Sequence, residues 1–432
     1  MDREQAQEEI MNIRSNSILC ELPTSVNHTN VKIIMYSEKS KIDRKEVQKE
    51  ILEIKSQSIL LQLPTSFGKS KIGIDLALRD NPSSILIVIP RLVLINNWKE
   101  EFIKWGLESW LERVYFSTYV GLNKHVEEEW DCVIFDEVQH MSERCREFVS
   151  TMEIHHSIML SATVTRDMKW ELSQLFPDFQ CYTVKMKEAI DNEILPDPRV
   201  FLIPLELDNT HAVHTMIEHP KAKIIKECLY KDRWSYLRDK SIRVHIKCTE
   251  YQYVMELGNK IEFWKRQYMR TRNEGVKTKW LFLAGQRLKF LSQLKNPIIL
   301  SLLEKLKSER VLTFCSSIEQ TEILGENCIN SKNKESSMVL DMFNHKELDH
   351  ITACNMLNEG MNLVDCRVGL YANLNSSDII IKQRLGRILR HKDPIIIIPY
   401  FSGTREEELV EKMLEDYNPE LVVKTNLSEI KV

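Results

Sequence analysis

The sequence predicts an α/β protein with two lobes, each built on a parallel sheet, together with a mainly helical insert and an N-terminal arm. Short apolar runs alternate with helix-forming stretches over residues 43–205 and again over residues 297–432. Such alternation is typical of parallel sheets that helices cover on both faces. Residues 206–296 hold one proline and few turn signals, which favours helices there. Residues 1–42 remain as the arm.

Each predicted strand is a short apolar run rich in β-branched residues, which favours a buried strand over a helix. In the first lobe these runs are residues 59–63, 85–89, 132–135 and 157–160. In the second lobe they are residues 311–314, 338–340, 368–371 and 395–398.

The bulk composition excludes several classes of protein. The chain has 432 residues, of which 43% are hydrophobic and 28% charged, as in ordinary globular proteins. Its longest apolar runs are far shorter than the roughly 20 residues of a membrane-spanning helix. Residues 1–5 lack the basic start of a secretory signal, so we expect a cytoplasmic protein, of a prokaryote or a phage-infected cell. Ten cysteines show no zinc-ribbon spacing and are expected to be free thiols.

Charge is distributed unevenly. Residues 221–295 contain 19 Lys and Arg against 7 Asp and Glu, within a chain of net charge −4. The segment is either a basic surface that binds nucleic acid or a solvated helical face. Its aromatic residues are candidates for stacking on bases or for helical core packing; they are Trp234, Tyr236, Phe263, Trp264 and Trp280.

The N-terminal arm is a degenerate repeat of residues 43–74. Shifting the chain by 41 positions aligns the two copies, with about half of some thirty positions identical. Where the second copy has Gly68, Lys69 and Ser70, the first has Asn27-His28-Thr29, which cannot cradle a triphosphate in the same way. The arm is either a decayed duplication that packs as structure or a regulatory element that covers the real loop.

A phosphate-binding loop (P-loop) is predicted where the second copy ends. A strand is followed by Pro64, Thr65, Ser66, Phe67, Gly68, Lys69 and Ser70, and then by a helical run. Strand, loop and helix are the context that this loop needs, because free N–H groups at a helix start surround phosphates. Lys69 is expected on the β and γ phosphates and Ser70 on Mg²⁺. Leu63 replaces the usual first glycine, so the turn must be made differently.

The second candidate element is a pair of carboxylates. Residues 132–135 form an apolar strand that ends in Asp136 and Glu137. Parallel strands deliver such groups to the carboxyl edge of the sheet, where α/β proteins bind ligands. We expect Asp136 to hold Mg²⁺ and Glu137 to orient and deprotonate the attacking water.

Five further segments, taken in order, resemble the signature motifs of superfamily 2 DEAD/DEAH-box-like helicases, most of all phage-type and recombination-type members. They are Ile89-Pro90-Arg91, Ser117-Thr118-Tyr119, Ser161-Ala162-Thr163, Asn358-Glu359-Gly360-Met361-Asn362 and the run from Gln383 to Arg390. The resemblance covers residues 43–200 and 297–400. It implies two RecA-like lobes that meet across an ATP-binding cleft.

The resemblance also assigns roles to residues. It implies that Gln383, Arg387 and Arg390 face the nucleotide from the second lobe, and that Gly360 and Asn362 take part in nucleotide binding. Gln48 stands where related helicases carry an adenine-reading glutamine, although Val47 replaces the aromatic residue that usually precedes it. Nucleic-acid contact or coupling is implied for Pro90, Arg91, Thr118, Tyr119, Ser161, Thr163 and Ser316.

We therefore expect an ATP-dependent DNA helicase that uses ATP and Mg²⁺, with DNA a more probable partner than RNA and no membrane partner. A duplex-DNA translocase or remodelling subunit of a restriction, repair or defence complex remains an alternative, as does an RNA helicase. All of these would share the same motor residues.

Overall fold

The first lobe is built on a sheet of parallel strands. The computed structural model describes residues 32–34, 43–354, 363–374, 388, 390–415 and 417–430. The described strands of this lobe are β1 (Lys32–Ile34), β2 (Ser58–Gln62), β3 (Ile85–Ile89), β4 (Val114–Thr118), β5 (Glu129–Asp136), β6 (Glu153–Ser161) and β7 (Phe179–Thr183). Their spatial order is β1-β7-β2-β6-β5-β3-β4.

Helices cover both faces of this sheet. All five residues of β3 are buried; Ile85, Ile87 and Ile89 enter one hydrophobic cluster, and Leu86 and Val88 enter another on the opposite face. This arrangement explains why the strands read as continuous apolar runs. The helices of the lobe are α1 (Arg44–Glu53), α2 (Lys69–Leu78), α3 (Leu94–Lys104), α4 (Glu143–Val149), α5 (Arg166–Leu175) and α6 (Met186–Asp191).

The strand that follows α6 belongs to the other lobe, which corrects the predicted boundary at residue 205. β8 (Arg199–Leu205) lies between the parallel strands of residues 395–401 and 422–424. Its inward residues Val200, Leu202 and Ile203 are buried there. A short apolar strand carries no signal for which of two sheets it joins, so the sequence pattern placed it with its chain neighbours.

The insert is mainly helical, as predicted, but also contains a small sheet that the sequence did not reveal. Its elements are β9 (His214–Glu218), β10 (Ile224–Leu229), α7 (Trp234–Leu237), β11 (Ile242–Cys248), α8 (Glu250–Thr271) and α9 (Glu274–Lys305). β11 pairs in parallel with β10 and antiparallel with β9. Since α9 continues past residue 296, the predicted boundary falls inside a helix and also needs correction.

The second lobe repeats the parallel-sheet architecture. Its remaining described elements are β12 (Val311–Phe314), α10 (Ile318–Leu324), β13 (Cys328–Ile329), α11 (Ser336–Asn344), β14 (His350–Ala353), β15 (Val368–Tyr371), β16 (Ile395–Phe401), α12 (Arg405–Leu414) and β17 (Val422–Lys424). The strand order is β13-β14-β12-β15-β16-β8-β17. The fold class predicted from the sequence is thereby confirmed.

The strand predicted at residues 338–340 is wrong, because this segment lies in α11. Val339, Leu340 and Phe343 are its buried apolar residues, and their spacing is that of one helical face. A triplet of apolar residues alone does not separate the two periods. Within the described part of the chain, no helix has the length and apolar character required to cross a bilayer.

Candidate functional site

The loop after β2 makes its turn without the usual first glycine. Leu63 is fully buried, and its N–H donates to the carbonyl oxygen of Ser161 at 3.0 Å, so this residue extends the pairing of β2. The chain turns later, where Ser66 has φ 68° and Gly68 has φ 98°. Side chains with a Cβ are strained in this left-handed region. Ser66 and Gly68 together therefore replace the missing glycine turn.

The N-terminus of α2 is prepared for an anion. Its cap, Gly68, provides no side-chain hydrogen bond, and the first N–H groups of a helix have no intrahelical acceptors. The ammonium group of Lys69 donates to the carbonyl oxygens of Leu63 at 3.2 Å and Pro64 at 3.3 Å, so it is held against the loop. The hydroxyl of Thr65 is buried and has no hydrogen-bond partner among the described residues.

Gln48 lies against this loop. A Cβ built on Gly68 would stand 3.6 Å from the Gln48 side-chain nitrogen, which places the amide of α1 beside the helix start. Val47, at the position where related helicases carry an aromatic residue, is fully buried in the core. The neighbouring helix thus presents its amide to the nucleotide loop and its aliphatic residue to the core.

Asp136 is held by two aromatic residues at the carboxyl end of β5. The indole N–H of Trp98, on α3, donates to its carboxylate at 3.0 Å, and the hydroxyl of Tyr119 donates to its backbone oxygen at 2.8 Å. Burial and the neighbouring Glu137 carboxylate raise the pKa of Asp136 to about 7, whereas the Trp98 hydrogen bond and Lys69 lower it. A cation beside Asp136 would relieve this repulsion.

Glu137 is connected by hydrogen bonds to Ser161. The side-chain amide of Gln139 donates to the Glu137 carboxylate at 2.7 Å and accepts from the Ser161 hydroxyl at 2.6 Å. That hydroxyl also contacts the backbone of Thr163. Glu137 itself has φ 51°, a strained conformation of the kind that concentrates at functional sites. Gln139 was not among the residues that the sequence singled out, although it lies only two positions after Glu137.

A second-lobe arginine reaches the phosphate-binding loop. The Nε of Arg390 donates to the hydroxyl oxygen of Ser66 at 3.3 Å. The two residues are 324 positions apart in sequence and lie on different lobes. Four other predicted second-lobe residues lie outside the described part of the chain: Gly360, Asn362, Gln383 and Arg387.

The carboxyl ends of β3 and β4 form an exposed edge beside the site. Arg91 is exposed and Pro90 and Thr118 are partly exposed. The sequence missed a feature of this edge, three exposed apolar side chains: Leu92 is 66% exposed, Val93 49% and Val120 87%. They follow the predicted contact residues directly, and an exposed apolar patch with a polar rim is characteristic of an interaction surface.

Tyr119 does not belong to this edge. Its side chain is only 4% exposed, and its hydroxyl is engaged with the backbone of Asp136. Contact between Tyr119 and nucleic acid therefore stays a prediction, and in this structure the side chain is turned into the core. Tyr119 instead supports the end of β5, where Asp136 lies.

Ser316 and Thr163 also have largely internal surroundings. Ser316 follows β12, and its hydroxyl contacts Ser292 at 3.1 Å and the side-chain amide of Asn373 at 2.9 Å. Thr163 carries a buried hydroxyl that has no partner among the described residues. The structure thus places Ser316 in a polar network that joins α9 to the second lobe.

The residues present fit a triphosphate and Mg²⁺. The uncapped helix start, the orphaned Thr65 hydroxyl and the adjacent Lys69 suit phosphate oxygens. Asp136, with its raised pKa, and Ser70 offer the hard oxygen ligands that Mg²⁺ prefers. These two residues would hold the ion.

The second lobe matches a known family model. Residues 294–392 match the helicase conserved C-terminal domain. No curated protein matches the chain by sequence.

Solved structures with TM-scores of 0.50 or more share this fold over most of the chain. S. cerevisiae Dbp5 bound to RNA and ADP BeF3 matches with a TM-score of 0.57 and 9% identity, covering 89% of this chain and 90% of that one. The ATP-dependent type ISP restriction-modification enzyme LlaBIII bound to DNA matches with a TM-score of 0.50 and 11% identity, covering 91% of this chain and 32% of that one. The Pyrococcus furiosus Hef helicase domain matches with a TM-score of 0.48 and 14% identity, covering 85% and 97%.

Proposed function

We propose that the chain is an ATP-dependent DNA helicase of superfamily 2, in which ATP hydrolysis drives movement along nucleic acid and strand separation. The match of residues 294–392 to the helicase conserved C-terminal domain and the likeness of the fold to Dbp5 support this proposal. One observation carries this proposal. Arg390, from the lobe that matches the helicase C-terminal domain, donates to Ser66 in the phosphate-binding loop of the other lobe. A cleft with such a contact can respond to the nucleotide by opening and closing.

The first lobe binds and prepares the triphosphate. The N–H groups at the start of α2 and the ammonium of Lys69 surround its phosphates, while Gln48 lies beside the same loop. Ser70 and Asp136 would hold Mg²⁺, which would neutralise charge on the phosphates. Glu137, oriented by Gln139, accepts a proton from the attacking water.

The second lobe completes the site through its arginines. When the cleft closes, Arg390 moves from Ser66 to the γ phosphate. There its guanidinium group stabilises the charge that develops during phosphoryl transfer. The closed arrangement of the two lobes is then favoured only while residues of both lobes contact the triphosphate. After hydrolysis the contacts of both lobes with the γ phosphate are lost, and the lobes separate.

Movement is coupled to hydrolysis through Ser161. This residue and Gln139 connect the Glu137 carboxylate to the segment before α5, so a shift of one end displaces the other. The exposed edge around Arg91, Leu92 and Val120 provides a surface on which a strand backbone can lie. When the two lobes bind the strand alternately, each cycle of opening and closing moves the protein along the strand.

A second candidate is a duplex-DNA translocase without strand separation, and a third is an RNA helicase. The fold match to a DNA-bound restriction-modification enzyme favours the former, and the match to an RNA-bound Dbp5 favours the latter.

The test compares ATP hydrolysis with single-stranded DNA, duplex DNA and RNA, beside strand-displacement and triplex-displacement assays. We expect stimulation by DNA and displacement of a duplex strand. Stimulation by RNA alone, or triplex displacement without strand displacement, would replace the DNA-helicase assignment with one of the other two. An absence of ATP hydrolysis under all three conditions would reject the motor itself.

A further inference from the structure

The two long helices of the insert form a projecting hairpin. α8 and α9 are joined by Arg272 and Asn273, and residues 262–290, which we call the hairpin tip, contain no buried side chain. The last buried residues are Ile261 on α8 and Leu291 on α9. At 1.5 Å per residue the tip comprises about 15 Å of α8 and about 25 Å of α9. It is therefore a surface element rather than part of a core.

The hairpin is fixed to the second lobe. Lys295, on α9, is fully buried and its ammonium group lies 2.6 Å from the carboxylate of Glu406, on α12. The other oxygen of Glu406 accepts from the backbone N–H of Phe401 at 3.0 Å. The residue after Lys295, Asn296, accepts from the side-chain amide of Gln320 on α10 at 3.1 Å. A buried, hydrogen-bonded ion pair resists breakage, so the tip should move with the second lobe.

The hairpin tip is strongly basic, and part of that charge lacks a partner. It contains eight Lys and Arg against two Glu. Two Lys pair with those Glu residues, and Lys289 pairs with Glu319 outside the tip. Among the described residues, Arg266 and Arg270 have no ion-pair partner. They are four positions apart on α8 and both are exposed, so their guanidinium groups lie on one side of the helix.

Exposed aromatic rings accompany these arginines. Phe263 is 53% exposed and Phe282 63%. The two tryptophans of the tip are instead engaged internally, since the Lys279 ammonium lies 3.8 Å from the Trp264 ring centre and Trp280 packs on Tyr268. Outside the tip, Trp234 is exposed but lies beside Arg233, and Tyr236 packs in the small sheet's core. Phe282 and Phe263 are thus the most exposed rings of the tip, although the ring of Phe263 also makes a T-shaped contact with that of Trp264.

We propose that the hairpin tip is a second nucleic-acid-binding surface, outside the cleft, that takes single-stranded segments. Arg266 and Arg270 bind phosphates, and Phe263 and Phe282 stack on bases. Charge selects this occupant, because a second copy of the tip would bring two basic surfaces together, whereas a strand of phosphates neutralises them. Base stacking requires unpaired bases, which favours single strands over duplex.

This proposal rests on the proposed function, and it deepens it: a surface fixed to the second lobe changes its distance from the first lobe whenever the cleft opens or closes. A strand held at the tip is then moved relative to the first lobe's edge around Arg91 and Thr118. The tip serves as a lever for the strand, and the ion pair of Lys295 with Glu406 is its attachment.

The test measures binding of the full chain to fluorescent oligo(dT) of about 20 nucleotides, without nucleotide, as a function of salt. For Arg266→Gln with Arg270→Gln we expect the slope of log affinity against log salt to fall by about 1.4, since each single-strand phosphate contact contributes about 0.7. The double Lys variant, which keeps the charge, should retain the slope. An unchanged slope in the Gln variant would overturn the phosphate contacts.

The aromatic residues are tested in the same assay. Phe263→Leu with Phe282→Leu keeps apolar bulk but loses the ring faces, and it should weaken binding about tenfold; the matching Trp variants should bind like the wild type. Equal affinity of the Leu variant would reject stacking, and a change from dimer to monomer in sedimentation would show the tip to be a self-association surface.

The two proposals fail in different ways. If the wild type binds oligo(dT) and its ATP hydrolysis is stimulated, but all tip variants behave alike, only the hairpin proposal is overturned. If the wild type shows no stimulation by any nucleic acid, the proposed function is overturned first.

Discussion

The two lobes use the same architecture but end their central strands differently. In the first lobe, β2 leads into a loop with two left-handed residues and a helix whose cap, Gly68, has no side chain. In the second lobe, β12 leads to Ser317, whose hydroxyl accepts from the N–H of Gln320 and caps α10. One helix start is left available for an anion, and the other is closed by its own residue.

The polar residues around the second loop are also satisfied internally. The side chain of Gln320 accepts from the N–H of Ser316 at 3.0 Å and from the amide of Asn373 at 3.0 Å. Their partner Ser292 comes from α9. Equivalent positions in the two lobes therefore differ in role. Where the hydrogen-bond donors have partners within the protein, the position is structural; where they have none, it is available to a ligand. We therefore propose that the first lobe binds nucleotide and that the second carries the lever and the arginines.

Among the substitutions that test this difference between the lobes, replacing Lys69 has the largest expected effect on ATP hydrolysis. Lys69→Ala takes away the cation that lies against the loop, so ATP hydrolysis should fall below detection. Lys71→Ala is the matched control: this residue lies two positions further on and pairs with Asp75, and its loss should leave hydrolysis unchanged. Steady-state ATPase rates with saturating oligonucleotide test both. Retained turnover in the Lys69 variant would remove the loop from the site.

Arg390→Ala tests the contribution of the other wall. We expect kcat to fall by about 10³-fold, the usual range for an arginine that stabilises the transferring phosphoryl group, while the affinity for a fluorescent ATP analogue changes little. The control is Arg405→Gln, an exposed arginine that pairs with Glu408 away from the loop. Loss of nucleotide binding in the Arg390 variant would mean that this residue supports the fold of the loop instead.

Trp98→Phe tests the support of Asp136. It keeps an aromatic ring in the core but removes the N–H that orients the carboxylate, and outer-shell losses of this kind weaken metal binding about tenfold or more. The Mg²⁺ concentration that gives half-maximal ATPase activity should rise accordingly. Trp105→Phe removes the same kind of indole-to-carboxylate bond, to Glu101, and should have no such effect. Equal Mg²⁺ requirements in both variants would contradict the assigned role.

Gly68→Ala has the smallest expected effect. Its Cβ would meet no close contact, so the cost is the strain of φ 98°, about 1 kcal/mol, or about a fivefold loss of nucleotide affinity. Gly403, with φ 68°, is a matched control. Gly403→Ala should lower thermal stability without affecting nucleotide affinity. If Gly68→Ala and Gly403→Ala had the same nucleotide affinity, the left-handed conformation of Gly68 would have no particular role in nucleotide binding.

Much of the site was predictable because its residues are close in sequence and follow apolar strands. Asp136 and Glu137 lie at the end of β5, and Gly68 and Lys69 follow β2 within seven residues. The apolar runs of both strands are clear. The support of these residues was not predictable. Trp98 is 38 positions from Asp136, and nothing in its own segment indicates that contact.

The errors in the fold have similar causes. The strands of the insert were missed because β10 is mostly exposed and shows no alternation of apolar and polar residues. β8 was placed in the wrong lobe because pairing partners about 200 positions away decide its sheet. The burial of Tyr119 was also not predictable, because a motif gives a position in sequence, whereas burial depends on packing around Asp136.

The most direct test of the account is the number of nucleotides that one chain binds, measured by equilibrium titration with a fluorescent, non-hydrolysable ATP analogue. We predict one site per chain, lost in Lys69→Ala and kept when residues 1–42 are deleted. The reason is that, of the two helices that follow β2 and β12, α2 begins without a capping side chain, whereas the start of α10 is capped by Ser317. Two sites per chain, or undiminished binding by the Lys69 variant, would contradict it.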